Sequence, residues 1–402
     1  MPALAESLLR LTRAPGAAVA LALSLAGCAD DAATPTGPDA PGASAVAVVA
    51  PLVWRAVSSG DTHTCGVTLD NRAWCWGGNF TGQLGDGTRT DHLLPALAAG
   101  GLRFRSVSVG NDQSCGVTTD DRAYCWGYGA VGDGSPFAII RQEPVAVAGG
   151  HRFAEVRAGI GHTCGITTDG RGWCWGSNDF GQLGNYSRVS QPAPVAVGGG
   201  LRWRWINPGW LHTCGVTTDA RAYCWGRNNE GQLGGGTTRS SRGFPIAVSG
   251  GLAFRNVSAG SLYTCGVTTA DRAYCWGQGT SGTLGDGTQT TRSAPKPVAG
   301  NRRYHNTSAS QFYACGLTLA GRGYCWGSNP RGELGDGTTT SRLTPGLLGG
   351  DLTLAQLRAG ASHACGVTTE GRAYCWGDNH YGQLGDGTTV QRLVPAPVAS
   401  PM

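Results

Sequence analysis

From residue 52 onward the chain repeats itself seven times, and every repeat carries two cysteines ten positions apart. The first of each pair falls at Cys65, Cys115, Cys164, Cys214, Cys265, Cys315 and Cys365, a period of 49 to 51 residues. Within a unit the apolar runs are short, alternate with polar residues and are separated by Gly, Pro or Asp. No helical period appears. The alternation predicts four strands per unit, labelled A to D: PVAV, FRSVSVG, TCGVT and AYCWG. Units of about 50 residues with four strands fit propeller blades better than thin solenoid coils. The expectation for 52–402 is therefore an all-β, seven-bladed β-propeller of four-stranded blades. The chain enters through a B strand at Val53-Trp54-Arg55-Ala56-Val57 and leaves through an A strand at Pro397-Val398-Ala399. The ring is thus expected to be closed by the C-terminal strand, completing the blade begun at the N-terminus and removing both sheet edges.

The cysteine spacing fixes a register. If Cys115 opposes Cys125 across a C–D hairpin, then Val117 faces Ala123 and Gly116 faces Tyr124. Gly116 is then expected to leave room for an aromatic ring. The turn becomes a three-residue loop whose third residue adopts left-handed φ, favouring Gly, Asn or Asp. Asn71, Asp121, Gly170, Asp271, Gly321 and Gly371 comply there, while Ala220 does not. Cysteines directly opposed on neighbouring strands lie within disulfide reach. The expected bridges are Cys65–Cys75, Cys115–Cys125, Cys164–Cys174, Cys214–Cys224, Cys265–Cys275, Cys315–Cys325 and Cys365–Cys375, each contributing roughly 3 kcal/mol or less. A metal is the competing reading, because His63, His162, His212 and His363 lie two residues before a cysteine. Gln113, Tyr263 and Tyr313 fill that position elsewhere while the cysteine pair persists, so the thiols do not depend on a histidine. No metal or cofactor is expected. Seven local disulfides belong in an oxidising compartment.

The fifteenth cysteine is Cys28. Arg10 and Arg13 precede the apolar stretch APGAAVALALSLAGC (14–28), too short to span a bilayer. Its end, Leu25-Ala26-Gly27-Cys28, resembles the lipobox of bacterial lipoproteins. That resemblance implies a signal peptide over 1–27, a lipid on Cys28 and membrane contact through that lipid; a plain secretory signal is the alternative. Residues 28–51, rich in Ala, Pro and Gly, read as a flexible tether.

Charge and composition exclude several functions. The net charge of +5 comes from dispersed arginines, Lys296 being the only lysine, and no basic run suggests nucleic-acid binding. Asp86, Asp133, Asp286, Asp336 and Asp386 recur in Gly-Asp-Gly turns, but one carboxylate per unit is too few for a local calcium site. Arg72, Arg122, Arg171, Arg221, Arg272, Arg322 and Arg372 form a ring on the C–D turns, expected to pair with local Asp or backbone. Glu155, His305 and His380 depart from the repeated positions without forming a catalytic set.

The units ending CWGGNFTGQLGDGT (75–88) and CWGDNHYGQLGDGT (375–388) resemble repeats of the regulator-of-chromosome-condensation family over about 350 residues. The second unit departs from the pattern, its WGYGAVGDGS (126–135) being one segment short, and the third ends GQLGNYS. The resemblance implies a seven-bladed propeller. Its namesake is a nucleotide-exchange factor for a small GTPase, and related secreted propellers inhibit β-lactamases through one face of the ring. Four antiparallel strands put the B–C and D–A loops on one face, where the units vary most. Trp210, Leu262, Phe312, Phe80, Phe180 and Tyr381 are the candidate binding residues there. The expectation is a monomeric, non-catalytic binding scaffold of the cell envelope, facing the periplasm or cell exterior and recognising a protein or surface glycan. Exchange-factor activity on a GTPase, and a hydrolase or lyase with a channel-centred site, are the alternatives.

Overall fold

The first blade shows how the sequence becomes a sheet. Its strands are β1 (Trp54–Ser59), β2 (His63–Thr68), β3 (Ala73–Gly77) and β4 (His92–Leu97), hydrogen-bonded in that order and antiparallel. They are the predicted B, C, D and A strands. Every residue of β2 is buried, because it lies between two strands in its sheet and between two neighbouring blades. The same four-stranded sheet recurs seven times, giving a seven-bladed all-β propeller. The structure, a computed structural model, describes residues 51–401 apart from 138, 239 and 240. The leader, Cys28 and the tether lie outside the described residues.

The C–D register is the predicted one. Cys65 pairs with Cys75 across β2 and β3, Val67 with Ala73, and all seven cysteine pairs are bridged with Cα atoms 4.0 to 4.1 Å apart. The third turn residue is left-handed in every blade, Ala220 included at φ 67°. Gly116 does make room for a ring, but the ring is Phe104 from the neighbouring B strand rather than Tyr124. A Cβ there would stand 2.5 Å from it. The bulge between Phe104 and Ser106 swings that side chain diagonally across the C strand.

Each disulfide faces the next blade. One core cluster contains Cys65, Val67, Ala73 and Cys75 from blade 1 together with Phe104 and Trp126 from blade 2, and six equivalent clusters complete the ring. The apolar core is therefore a set of seven inter-blade layers.

Ring closure differs from the expectation. The last strand, Arg392–Pro397, pairs with Ala373–Gly377 in its own blade and not with the N-terminal one. The reason is local: the long D–A loop folds back on its own sheet and delivers the A strand beside D in every unit. The first and last blades instead meet face to face. Trp54 N–H donates to Gly371 O (2.8 Å), Ala361 N–H to Gly60 O (2.8 Å) and the Trp76 indole to Gln383 O (3.0 Å).

Candidate functional site

The residues that repeat most faithfully are occupied in holding the ring together. In the D–A loop of blade 1, Asn79 Oδ1 accepts from Leu84 N–H (3.0 Å), which shapes the turn. Gln83 O then accepts both the Ser114 hydroxyl (2.9 Å) and the Trp126 indole N–H (2.9 Å) of blade 2. Gly85, at φ 71°, lies against that indole, where a Cβ would come within 2.6 Å. The short second unit has no such Asn-Gln loop, and the Trp175 indole N–H that it should receive has no partner. Asp86 is spent on Thr88 N–H (2.9 Å), the Thr88 hydroxyl and His92 Nε2 (2.7 Å). Its counterparts Asp133, Asp286, Asp336 and Asp386 pair with Arg141, Arg292, Arg342 and Arg392.

The histidines beside the cysteines have an equally structural task. His63 Nε2 meets Ser114 Oγ, His162 meets Thr213 and His212 meets Thr264, each at 2.8 Å, and His363 meets Thr64 at 2.7 Å. Each partner is in the next blade. Those hydroxyls already donate to the backbone oxygens of Gln83, Gln182, Gln232 and Gln383, so the imidazole must donate from Nε2. Nδ1 then carries a lone pair, and it has no partner in all four rings. Burial, reinforced by the charge of His363, holds His63 down to about 3; His212 is held to about 3, and His162 and His363 to about 4. Gln113 makes the same bond to Thr163 (2.7 Å). Tyr263 and Tyr313 face Ala314 and Ala364, which lack a hydroxyl, and reach past them to the backbone oxygens of Tyr313 and His363 (2.5 and 2.7 Å). Among the described residues no three His, Cys, Asp or Glu side chains gather around these rings as a metal ion would require.

The variable residues lie on the B–C/D–A face. Phe80, Phe312 and Tyr381 are exposed, each by more than two fifths, and Phe80 and Tyr381 meet across the first and last blades with ring centroids 6.1 Å apart. Phe180 is partly covered, with the Arg227 guanidinium 5.5 Å above its ring. Leu262 is partly buried beside the buried Tyr263. Trp210 turns inward and lines the mouth of the central channel together with residues from all seven blades. The candidates are thus divided between the channel mouth, the Phe80–Tyr381 pair and the separate Phe180. On the opposite face, Arg72, Arg122, Arg171 and Arg221 pair with turn carboxylates at 3.1 to 3.4 Å, Arg322 pairs with Asp351, and Arg272 donates to Asn301 O (3.4 Å).

The channel holds an asymmetric group that the strand pattern alone did not expose. At the fifth position of the inner strand stand Ser58, Ser108, Arg157, Asn207, Ser258, Ser308 and Arg358, all on the channel wall. The Ser and Asn oxygens each accept the backbone N–H of the next blade, at Val109, Ala158, Ala259, Ala309 and Ala359 (2.8 to 3.1 Å). Arginine cannot accept. Arg157 instead pairs with Glu155 and lies 3.8 Å over the ring of Trp205, whose indole donates to Val257 O (2.6 Å). Aligning the seven units and noting the two departures from Ser/Asn would have found both arginines.

Comparison with known proteins agrees with this architecture. The RCC1-like domain family matches residues 22–318, and the regulator of chromosome condensation (RCC1) repeat matches 355–383 and 370–402. No curated protein matches the chain. Among solved structures, human WBSCR16 is 19% identical and superposes with a TM-score of 0.74, covering 82% of this chain and 94% of its own. Prp20p from Saccharomyces cerevisiae, studied for its binding to Gsp1p and histones, is 19% identical with a TM-score of 0.71, covering 87% and 88%. The CRINKLY WD40 ectodomain of the Arabidopsis thaliana receptor kinase ACR4 is 20% identical with a TM-score of 0.52, covering 81% and 96%. At these identities the likeness is one of fold.

Proposed function

Taking as premise that the chain belongs to the RCC1-like domain family, we propose that it is a non-catalytic binding scaffold of the cell envelope that recognises another protein through its B–C/D–A face. One observation carries this reading. Residues shared by most units are consumed by the inter-blade bonds, whereas the variable aromatics Phe80, Phe312 and Tyr381 are exposed on one face. Exposed Phe, Tyr and Trp at loop tips are the side chains that dominate protein-recognition energetics. Protein binding by the yeast neighbour through the same kind of ring is consistent with it.

The envelope assignment rests on the lipobox-like segment ending at Cys28 and on seven buried disulfides, which suit an oxidising compartment. Exchange on a cytoplasmic GTPase would expose those cysteines to a reducing pool. Two experiments test the reading. Intact mass of native protein, with alkylation before and after reduction, should show no free thiols, a chain lacking 1–27 and a lipid on Cys28. Fifteen free thiols on an unprocessed chain would return the exchange-factor reading to first place. Photo-crosslinkers at Phe312 or Tyr381 in native cells should give a discrete protein adduct that Trp210→Ala abolishes. Equal adducts from crosslinkers at Leu69, on the opposite face, would refute the assigned surface.

A further inference from the structure

The channel wall is uniform except in two blades, and those two blades carry its arginines. Five of the seven fifth-position side chains bond the next blade's backbone N–H. After Arg157 the recipient residue is Pro208, which has no N–H, so the chain has lost donor and acceptor together at this joint. A substitution that gives up a structural bond, with its counterpart removed in the next blade, leaves a long cation free for other work. Arg358 lies three blades from Arg157 around the ring, yet both side chains line the same central cavity.

The charges do not balance. Glu155 pairs with Arg157, leaving Arg358 with a single long hydrogen bond to Leu357 O (3.4 Å). Burial, and then the charge of Arg157, depress Arg358 to about 10, so it remains a cation at neutral pH. Arg157 is 15% exposed and its Nε has no acceptor. Its plane is fixed over Trp205, which is itself tied to Val257 O. Among the described residues that line the cavity the one acid is Asp61, whose charge interactions are with Asp112, Arg331 and Asp378. The remaining lining near the arginines is neutral, from Ser58, Ser108, Asn207, Ser258 and Ser308.

We propose that Arg157 and Arg358 form an oxyanion-binding site in the central channel, with Trp205 as the positioning residue that holds the Arg157 plane. Guanidinium forks match the oxygens of phosphate and carboxylate groups, and a partly desolvated pair with unused donors supplies both charge and geometry. The arginines line a cavity of about 150 Å³ in the channel, into which a small oxyanion such as phosphate or a short carboxylic acid fits. The site is separate from Phe80, Phe312 and Tyr381, and its failure would leave the scaffold reading untouched.

The test is calorimetric titration of the folded, disulfide-intact protein with sodium phosphate and, separately, sodium citrate, against sodium chloride at matched ionic strength. A saturable heat with at least one of the two oxyanions, absent with chloride, is expected. Arg358→Ser should weaken it at least tenfold without lowering the melting temperature in chloride. Serine occupies this position in four other blades and would offer the Ser59 amide an acceptor. Arg358→Gln serves as a second neutral variant if the serine protein is unstable. Glu155→Gln should tighten binding several-fold by removing the competing carboxylate. No saturable heat with either oxyanion, or equal affinity in the Arg358 variants, would overturn the proposal.

Discussion

Acid should loosen this ring through four particular side chains. His63, His162, His212 and His363 are neutral in the folded protein, with Nε2 donating across a blade joint and Nδ1 facing no partner. Protonation would bury a charge in each, and at His63 and His212 an unpaired N–H as well. Their folded values of about 3 to 4 lie below the ordinary 6.5, so the unfolded chain takes up more protons throughout the interval between. Stability is therefore full above pH 6.5 and falls as the pH drops toward 4. At pH 5 each histidine withdraws about 2 kcal/mol, whatever its folded value below that pH, and the four together roughly 8 kcal/mol. That is of the order of a whole domain's stability. Most carboxylates titrate below this window, and Asp61 and Glu333, which burial raises, contribute equally to the native protein and to the control. The difference between the two proteins from pH 7.5 to pH 5 therefore isolates the imidazoles. The assay is guanidinium unfolding with disulfides intact, followed by tryptophan fluorescence. The control is the quadruple His→Gln protein, because Gln113 already makes the same bond to Thr163 in blade 2. It should keep most of its stability at pH 5. A small slope shared by both proteins is expected from His151, which burial against Trp173 also lowers. Equal pH dependence in the native and quadruple-Gln proteins would refute the reasoning.

Three further outcomes follow from the same joints. Tyr263→His should lose about 1–2 kcal/mol, since Ala314 offers it no hydroxyl, and Ala314→Thr should restore most of it; a double-mutant cycle by urea unfolding without positive coupling would contradict this. Gly85→Ala should destabilise by several kcal/mol, roughly 2–4, because it adds a Cβ at left-handed φ against the Trp126 indole, and a melting temperature within a degree of native would count against it. Replacing Cys214 and Cys224 by alanine should remove about 3 kcal/mol or somewhat more, the bridge being fully buried. In the native protein dithiothreitol should reduce that bridge no faster than the ring opens, and rapid reduction without denaturant would show the joint to be permeable.

Much of this architecture is legible in one dimension because the constraint is local. Cysteines ten apart dictate an opposed hairpin, and an opposed hairpin dictates which neighbours alternate; Val67 facing Ala73 follows from arithmetic. Ring closure was not legible, because strand order alone does not say whether an A strand joins the sheet before it or after it. That choice is made by hydrogen bonds inside the D–A loop, such as Asn79 to Leu84, which have no periodic signature. The loop-face aromatics were visible as variation, but their division was not: Trp210 faces the channel while Phe80 pairs with Tyr381 through a contact 301 residues distant in sequence. The channel arginines were hidden for a related reason. Arg157 and Arg358 stand on two otherwise ordinary strands, and their shared cavity exists only once the ring is closed.

Since the last strand stays in its own blade, sequence order and spatial order coincide in every sheet. A gene encoding such a ring is modular at the level of its exchange units. Copying or deleting one stretch from an inner strand to the following outer strand adds or removes a whole blade, and leaves no strand waiting for a partner from the other end of the chain. The seam between first and last blades is held by the same kinds of hydroxyl and indole bond as other joints, so new termini could be cut at any A–B connection. Ring size and starting point are then free to drift by recombination, while the hydroxyl and indole bonds at each joint require only that neighbours keep their matching halves.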